Sequence, residues 1–318
     1  MTLNQLRTFL AVADSGSVRS AAEELVVTQA AISASLAALQ RSLAVQLLQP
    51  EGRGVRLTPA GLVFAGYARR ALGLLEEASR AAAAAADPER GELRIAAVTT
   101  AAEQIMPGLL SGFLQRHPDV GVLVQAGNRE RVTSLLERHQ VDLVLAGRPA
   151  PGSDLEVLAV RPNHLVVVAA AALARARGSD DMVPWLARQT WLMREPGSGT
   201  RATAEALLAD LDITPLSLTL GSNGAIRESA GIGLGVTLVS RDAIEPELAS
   251  GRLHELAVPG TPLHRDWYLV ARPGTLAEPA TWLVARALSD GGFRRLKPAR
   301  RPAPAAGRAS WAGRPRNS

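Results

Sequence analysis

The sequence predicts three parts in series: an all-α head closed by a short hairpin, a long linker helix, and a C-terminal α/β region of two subdomains. Three observations carry this. Residues 17–39 hold two short amphipathic patterns around a bend. Residues 59–86 hold one unbroken, alanine-rich helical pattern. From Glu92 onward, strand-like apolar runs alternate with helical ones, which marks a layered α/β fold.

Leu3, Leu6, Leu10 and Ala13 recur at helical spacing and predict a first helix over 3–14. Ser17 suits the N-cap of a second helix over 18–25. Val26 and Val27 are poor helix formers and mark a bend. Thr28 then caps a third helix over 29–39, where Ile32, Leu36 and Leu39 share one buried face. Two packed helices joined by a tight turn make a helix-turn-helix, whose second helix enters the DNA major groove. The helix end runs on to Leu43. Apolar runs at 45–48 and 55–57 flank Pro50-Glu51-Gly52-Arg53-Gly54 and predict a hairpin, the wing of a winged helix-turn-helix. Arg53 falls at its tip and Arg56 on its return strand.

Thr58-Pro59 is the start signal of the long helix. Ala65, Ala68, Leu72, Leu75, Ser79 and Ala82 alternate in steps of three and four, the spacing of a two-helix seam. The favoured reading is a dimerisation helix roughly 40 Å long; the other is a linker helix lying on its own domain. After the break at 87–91, strands are predicted at 93–98, 120–125 and 141–146, with helices at 103–116 and 130–139. The pattern repeats with strands at 165–169, 190–193, 216–221 and 236–239, and helices at 183–188, 200–211 and around Ile226. A strand at 266–270 and a helix at 278–288 return to the first half. Strand–helix alternation predicts parallel strands with right-handed crossovers. The expected domains are therefore 1–58, 59–90 and 91–292, followed by a tail at 293–318. The third divides into one subdomain (91–161 with 266–292) and another (162–265), with a ligand cleft between them.

Composition narrows the functional classes. The 318 residues contain no cysteine, which removes disulfides and thiolate metal sites. No charge-free run reaches the roughly 18 residues that span a bilayer, and the first residues lack a signal peptide's basic start, so the expected location is cytoplasmic, without membrane contact. The net charge of +5 belongs to the tail: eight basic residues and no acidic ones lie from Arg294 onward, leaving 27 basic against 30 acidic before it. That Pro-, Ala- and Arg-rich tail is expected to be disordered, either as a solvated extension or as a non-specific phosphate-binding arm.

Ligands of open α/β sheets bind at strand ends beside helix N-termini. Four such places stand out: Thr99-Thr100; the Gly-rich run Arg194 to Arg201, with Ser198, Thr200 and Arg201; Ser222-Asn223; and, more weakly, Gly147-Arg148. Each one alone could be an ordinary capped turn. Facing one cleft, they form a candidate site. Catalytic signals are poor: Gly197-Ser198-Gly199 is not a nucleophile elbow, Gly231 to Gly235 lacks a dinucleotide setting, and the five histidines lack metal-ligand spacing. The chain reads as a binder without a cofactor or metal, not an enzyme.

The carrying residues Leu3-x-x-Leu6-x-x-Phe9, Ala21-Ala22-x-x-Leu25, Thr28-Gln29-x-Ala31-Ile32-Ser33 and Leu57-Thr58-x-x-Gly61 resemble those of LysR-type transcriptional regulators, and the likeness extends to about residue 292. The resemblance implies a winged helix-turn-helix, a linker-helix homodimer assembling to a homotetramer on double-stranded DNA, and a periplasmic-binding-protein-like effector domain. On that footing Ser17, Thr28, Gln29, Ala30, Ser33, Ala34, Arg53 and Arg56 are the expected DNA contacts. The expected effector contacts are Thr99, Thr100, Asn128, Gly147, Arg148, Ser198, Thr200, Arg201, Ser222 and Asn223. The 194–201 stretch resembles the subgroup serving carbon fixation and sulfur metabolism, whose effectors tend to be small anions.

Departures from the family pattern matter. The family usually has proline at Ala30 and arginine at Ala34. Residues 1–58 carry five arginines against four acids, little charge for a tight DNA binder. Alanine meets a thymine methyl and Gln29 pairs with adenine, so the face suits an A·T-leaning site. The alternative is a small-molecule-binding protein with a weakened DNA-binding head.

Overall fold

A computed structural model describes residues 1–52, 54–274 and 276–296. Arg53 at the expected wing tip, and the basic tail from Lys297 onward, lie outside the described residues.

The head is three helices and a hairpin: α1 (Leu3–Ser15), α2 (Val18–Glu24), α3 (Gln29–Leu43), β1 (Leu48–Glu51) and β2 (Gly54–Leu57). Thr2, Ser17 and Thr28 cap the helices through backbone N–H groups of Gln5, Ser20 and Ala31. Phe9, Ile32, Leu36 and Leu39 fill the core. The bend after α2 places Val26 at φ +55°, and α3 leaves α2 at 109°. The first hairpin strand lies at 48–51, not 45–48. Residues 46–47 are held elsewhere: Gln40 Oε1 accepts the Leu47 N–H at 2.7 Å, Leu47 O accepts the Thr58 N–H at 3.0 Å, and the Thr58 hydroxyl donates to Gln46 O at 2.8 Å.

The linker helix α4 (Pro59–Ala86) starts at the Thr58 cap, whose Oγ1 accepts the Gly61 N–H at 2.9 Å. Its expected seam divides along its length into a buried and an exposed part. Ala65, Ala68 and Leu72 pack into the head core beside Phe64, which meets Phe9 edge-on at 5.3 Å. Leu75, Ser79 and Ala82, further along the same side of the helix, are exposed, and Val63, Tyr67 and Leu74 are exposed on the opposite side. The cause is position along the helix: the residues at 65, 68 and 72 meet the head core, and those that follow lie beyond it.

The first subdomain contains β3 (Glu92–Val98), α5 (Thr99–Gln104), α6 (Met106–Leu114), β4 (Gly121–Gly127), α7 (Arg129–Glu137), β5 (Leu143–Ala146) and β6 (Glu156–Arg161). The helix expected over 103–116 starts four residues earlier and breaks at Ile105, where Pro107 withholds an N–H from the turn. The chain then crosses into the second subdomain: β7 (His164–Ala170), α8 (Ala171–Ala176), α9 (Met182–Ala187), β8 (Trp191–Met193), α10 (Gly199–Asp210), β9 (Ser217–Thr219), α11 (Asn223–Gly231), β10 (Thr237–Ser240), α12 (Glu245–Ala249), β11 (Leu253–Glu255) and β12 (Leu263–His264). It returns through β13 (Trp267–Ala271) and α13 (Glu278–Ser289).

The first sheet has the order β4-β3-β5-β13-β6. In it β3 is parallel to β4 and β5, while β13 is antiparallel to β5 and β6. In the second, β7 is antiparallel to β10, β11 and β12, and β8 runs parallel to β9. The all-parallel expectation therefore fails at β7 and β13, the strands that cross between subdomains without a helical crossover. The short strands β6, β11 and β12 escape a helix–strand alternation for the same reason. The tail also begins later than expected: Phe293 is buried in the first subdomain's core, and Arg294 exchanges two 2.8 Å backbone bonds with Val160.

Candidate functional site

Both crossings meet at one point. Pro162-Asn163 joins β6 to β7, and Arg265-Asp266 joins β12 to β13. Asn163 and Arg265 exchange backbone and side-chain bonds across this junction: Arg265 N–H to Asn163 O at 2.9 Å, and Asn163 Nδ2 to Arg265 O at 2.9 Å. Ser240 Oγ donates to Asn163 Oδ1 at 2.6 Å. Asn163 is almost fully buried, so this pair of bonds is a hinge pin rather than a ligand contact.

The cleft opens on the side of that hinge where β3, β5 and β4 end. Thr99, Thr100, Asn128 and Gly147 line it from the first subdomain, and Ser198 and Thr200 from the second. Arg194, the first residue of the expected Gly-rich run, also lines it, as do Arg129, Arg265 and Trp267, which sequence reasoning missed. Arg129 follows the predicted Asn128 directly and was legible; Arg265 lies in a strand junction that no periodicity marks. The Arg265 guanidinium rests against the Gly-rich loop: a Cβ at Gly199 would lie 2.1 Å from its Nη2. It donates to Thr203 Oγ1 at 3.0 Å. Burial, and then the neighbouring charge of Arg129, pull its pKa below the usual arginine value. Arg129 donates to Arg148 O at 2.5 Å. Among the described residues neither arginine has a carboxylate within salt-bridge reach, whereas Arg194 and Arg201 each do.

Helix termini add to this positive potential. The Asn128 side chain caps α7 through the Arg131 N–H, but α10 starts at Ser198 with no side-chain cap, leaving its first N–H groups facing the cleft. Four expected contacts are placed differently. Arg201 bonds Glu205 at 2.7 Å, Arg194 O at 2.9 Å and Thr219 Oγ1 at 3.1 Å, so its charge is spent within the second subdomain and tethers the loop. Arg148 is exposed outside the cleft, and Ser222 caps α11 through the Ala225 N–H. Asn223 is buried and bridges the subdomains, donating to Thr100 Oγ1 at 2.9 Å and Glu103 Oε2 at 3.2 Å and accepting from Arg194. Thr100 is thereby engaged. The cleft as it stands leaves about 30 Å³, room for a water or two and far below the size of a ligand pocket.

In the head, Gln29, Ala30, Ser33 and Ala34 are exposed along one side of α3, while Ser17 and Thr28 spend their hydroxyls on the helix N-termini. Gln40 is drawn away to the hairpin. Arg56 faces Glu51 across the hairpin at 3.3 Å, which lowers the positive potential there. No single helix among the described residues is long and apolar enough to cross a membrane.

Two family models cover most of the chain. One described as "LysR substrate binding domain" matches residues 86–292, and one described as "Bacterial regulatory helix-turn-helix protein, lysR family" matches 3–62. The chain belongs to the LysR family. It is a LysR-type transcriptional regulator with an effector-binding domain. It is 36% identical over 284 residues to the HTH-type transcriptional regulator CfxR of Cupriavidus necator, covering 88% of this chain and 89% of that one. The solved full-length CbnR complexed with its target DNA shares the fold, with TM-score 0.63 and 22% identity over 90% of this LysR-type chain and 98% of its own. The regulatory domain of CcmR from Synechocystis PCC6803, solved with 2-PG, matches at TM-score 0.55 and 29% identity, covering 61% of this chain and 95% of that one.

Proposed function

We propose that this regulator takes a small anion between its two effector subdomains, at the uncapped start of α10, and answers it by changing how the head engages double-stranded DNA. The observation that carries the reading is the convergence of Arg129 and Arg265 on one cleft without a carboxylate partner among the described residues. Two mutually repelling cations beside free helix N–H groups are stabilised by a bound anion. The similar regulatory domain of CcmR was solved in complex with 2-PG, which supports looking for the effector in the same domain here. The enclosed part of the cleft has little free volume. The open groove beside it, about 750 Å³ and lined by Arg129, Ser198, Gly199 and Arg265, gives a small anion access to both arginines, and the subdomains close on it from there. The division into 1–58, 59–90 and 91–292 follows the same reading. So does assembly as homodimer and then homotetramer, which the exposed apolar side of α4 supports.

Calorimetric titration of the full chain with inorganic phosphate and with 2-PG tests this. Binding that is lost in Arg265→Ala and Arg129→Ala but kept in Arg201→Ala is the expected result. Equal binding by all four proteins would sink the anion site. A second reading is a head weakened for DNA, favoured by the exposed Ala30–Ala34 face and the Arg56–Glu51 pair. Footprinting upstream of its own gene, with and without residues 297–318, separates the two: a protected site that survives truncation assigns sequence reading to the head.

A further inference from the structure

Three elements of the first subdomain run from the cleft to the linker helix. α7 begins at Asn128 and Arg129 in the cleft, and the turn that follows it lies on α4, where a Cβ at Gly73 would fall 1.9 Å from Arg138 O. Only glycine allows that approach. β5 ends at Ala146, and Gly147 directly after it lines the cleft. Just before its start, Asp142 accepts the Arg94 N–H at 2.8 Å and faces Arg80 of α4 at 3.7 Å. β13 runs the opposite way: Arg265 and Trp267 line the cleft before and at its first residue. Beyond its last, Arg272 donates to Glu77 of α4 at 2.5 Å, and to Leu136 O and Val141 O at 2.5 and 3.0 Å.

The routes through α7 and β13 join at Glu77, one turn before the Arg80 that faces Asp142. Its two carboxylate oxygens take one donor each, from His139 after α7 and from Arg272 after β13. Beyond Arg80 the linker helix is alanine to its end and offers the subdomain no charged or hydrogen-bonding side chain. Removing Glu77 would also leave the mostly buried Arg272 guanidinium without its anion, a costly arrangement.

We propose that Glu77 is the positioning residue that locks α4 to the first subdomain, making the two one rigid body. Ligand closure then moves the second subdomain against that body, and the head, carried on α4, receives the motion through the clamp. Only this last step rests on the anion-binding reading above.

The chain has no cysteine, so introduced pairs can be spin-labelled without background. Glu76→Cys with Arg116→Cys reports α4 against the first subdomain; Arg116→Cys with Asp210→Cys reports one subdomain against the other. All three sites are exposed. Labelled full-length protein is diluted into unlabelled protein so that each assembly holds a single labelled copy. The 76/116 pair is expected to give one narrow distance. Glu77→Gln, and independently Gly73→Ala, should broaden it at least twofold while the 116/210 pair stays narrow. General loss of structure would broaden both pairs and overturn the clamp, as would a 76/116 width unaffected by either substitution. Inorganic phosphate should shift only the 116/210 distance. A shift of 76/116 instead refutes the rigid body, whereas no shift in either, with the variants broadened as stated, sinks the anion site and leaves the clamp standing.

Discussion

Val26 shows how a single residue can be placed against its own preference. It is exposed, sits at φ +55°, and is β-branched, the combination least suited to left-handed backbone. The helices on either side hold it there, because α2 must turn through 109° to bring Ile32 under the head. Val26→Asn should therefore stabilise the protein by about 1 kcal/mol, since asparagine tolerates that region and loses no packing. Urea denaturation of the two proteins checks this; a lower midpoint for Val26→Asn would mean the valine side chain has a contact that compensates the strain. Residue types also divide sharply at the cleft. Arg201 and Arg265 look alike in composition, but one is neutralised by Glu205 and the other is not. Side-chain type alone does not show which of the two has a carboxylate beside it.

Among the elements, the linker helix carries the most information. Its start, length and capping were legible, since Thr58, Pro59 and an unbroken helical period act locally. Its faces were not, because a seam of small residues looks the same whether it meets a partner helix or its own head. Ala65 and Ala68 meet the head. The junction between hairpin and helix is tight: a Cβ on Gly61 would lie 2.0 Å from Leu47 O. Gly61→Ala should destabilise the head by about 1–3 kcal/mol, as overpacking against backbone does, and should lower DNA affinity while leaving phosphate binding unchanged. Differential scanning calorimetry with paired DNA and phosphate titrations measures both. Loss of phosphate binding together with DNA binding would show that the two ends of the chain do not unfold independently.

At the scale of the whole molecule, the linker clamp joins groups from three separate stretches of chain, and its charge state bears on acid stability. Burial pushes the Glu77 carboxyl up, but hydrogen bonds from His139 and Arg272, with their charges, more than offset this and leave it below the ordinary carboxylate value. Burial raises the Asp142 carboxyl nearby, against the Arg94 N–H and the Arg80 charge. For Glu77, a depressed folded value means that its stabilisation is full above the unfolded value of about 4.3 and disappears as pH falls through the folded one. The 76/116 distance should thus stay narrow at neutral pH and broaden only below that range, and in Glu77→Gln the width should lose its acid dependence. A width that already grows between pH 7 and 5 would point to a group other than Glu77.

The sequence by itself determined the order of parts, the caps that start each head helix, the α/β character of the C-terminal region and the family, because these depend on periodicity and on residues a few positions apart. Only the tertiary structure decided which strands run antiparallel, which arginines line the cleft without a carboxylate partner among the described residues, and that Glu77 meets His139 and Arg272. Crossing strands and buried ion pairs join residues up to 195 positions apart. No local pattern records such a pairing, since its free energy depends on what folding brings alongside.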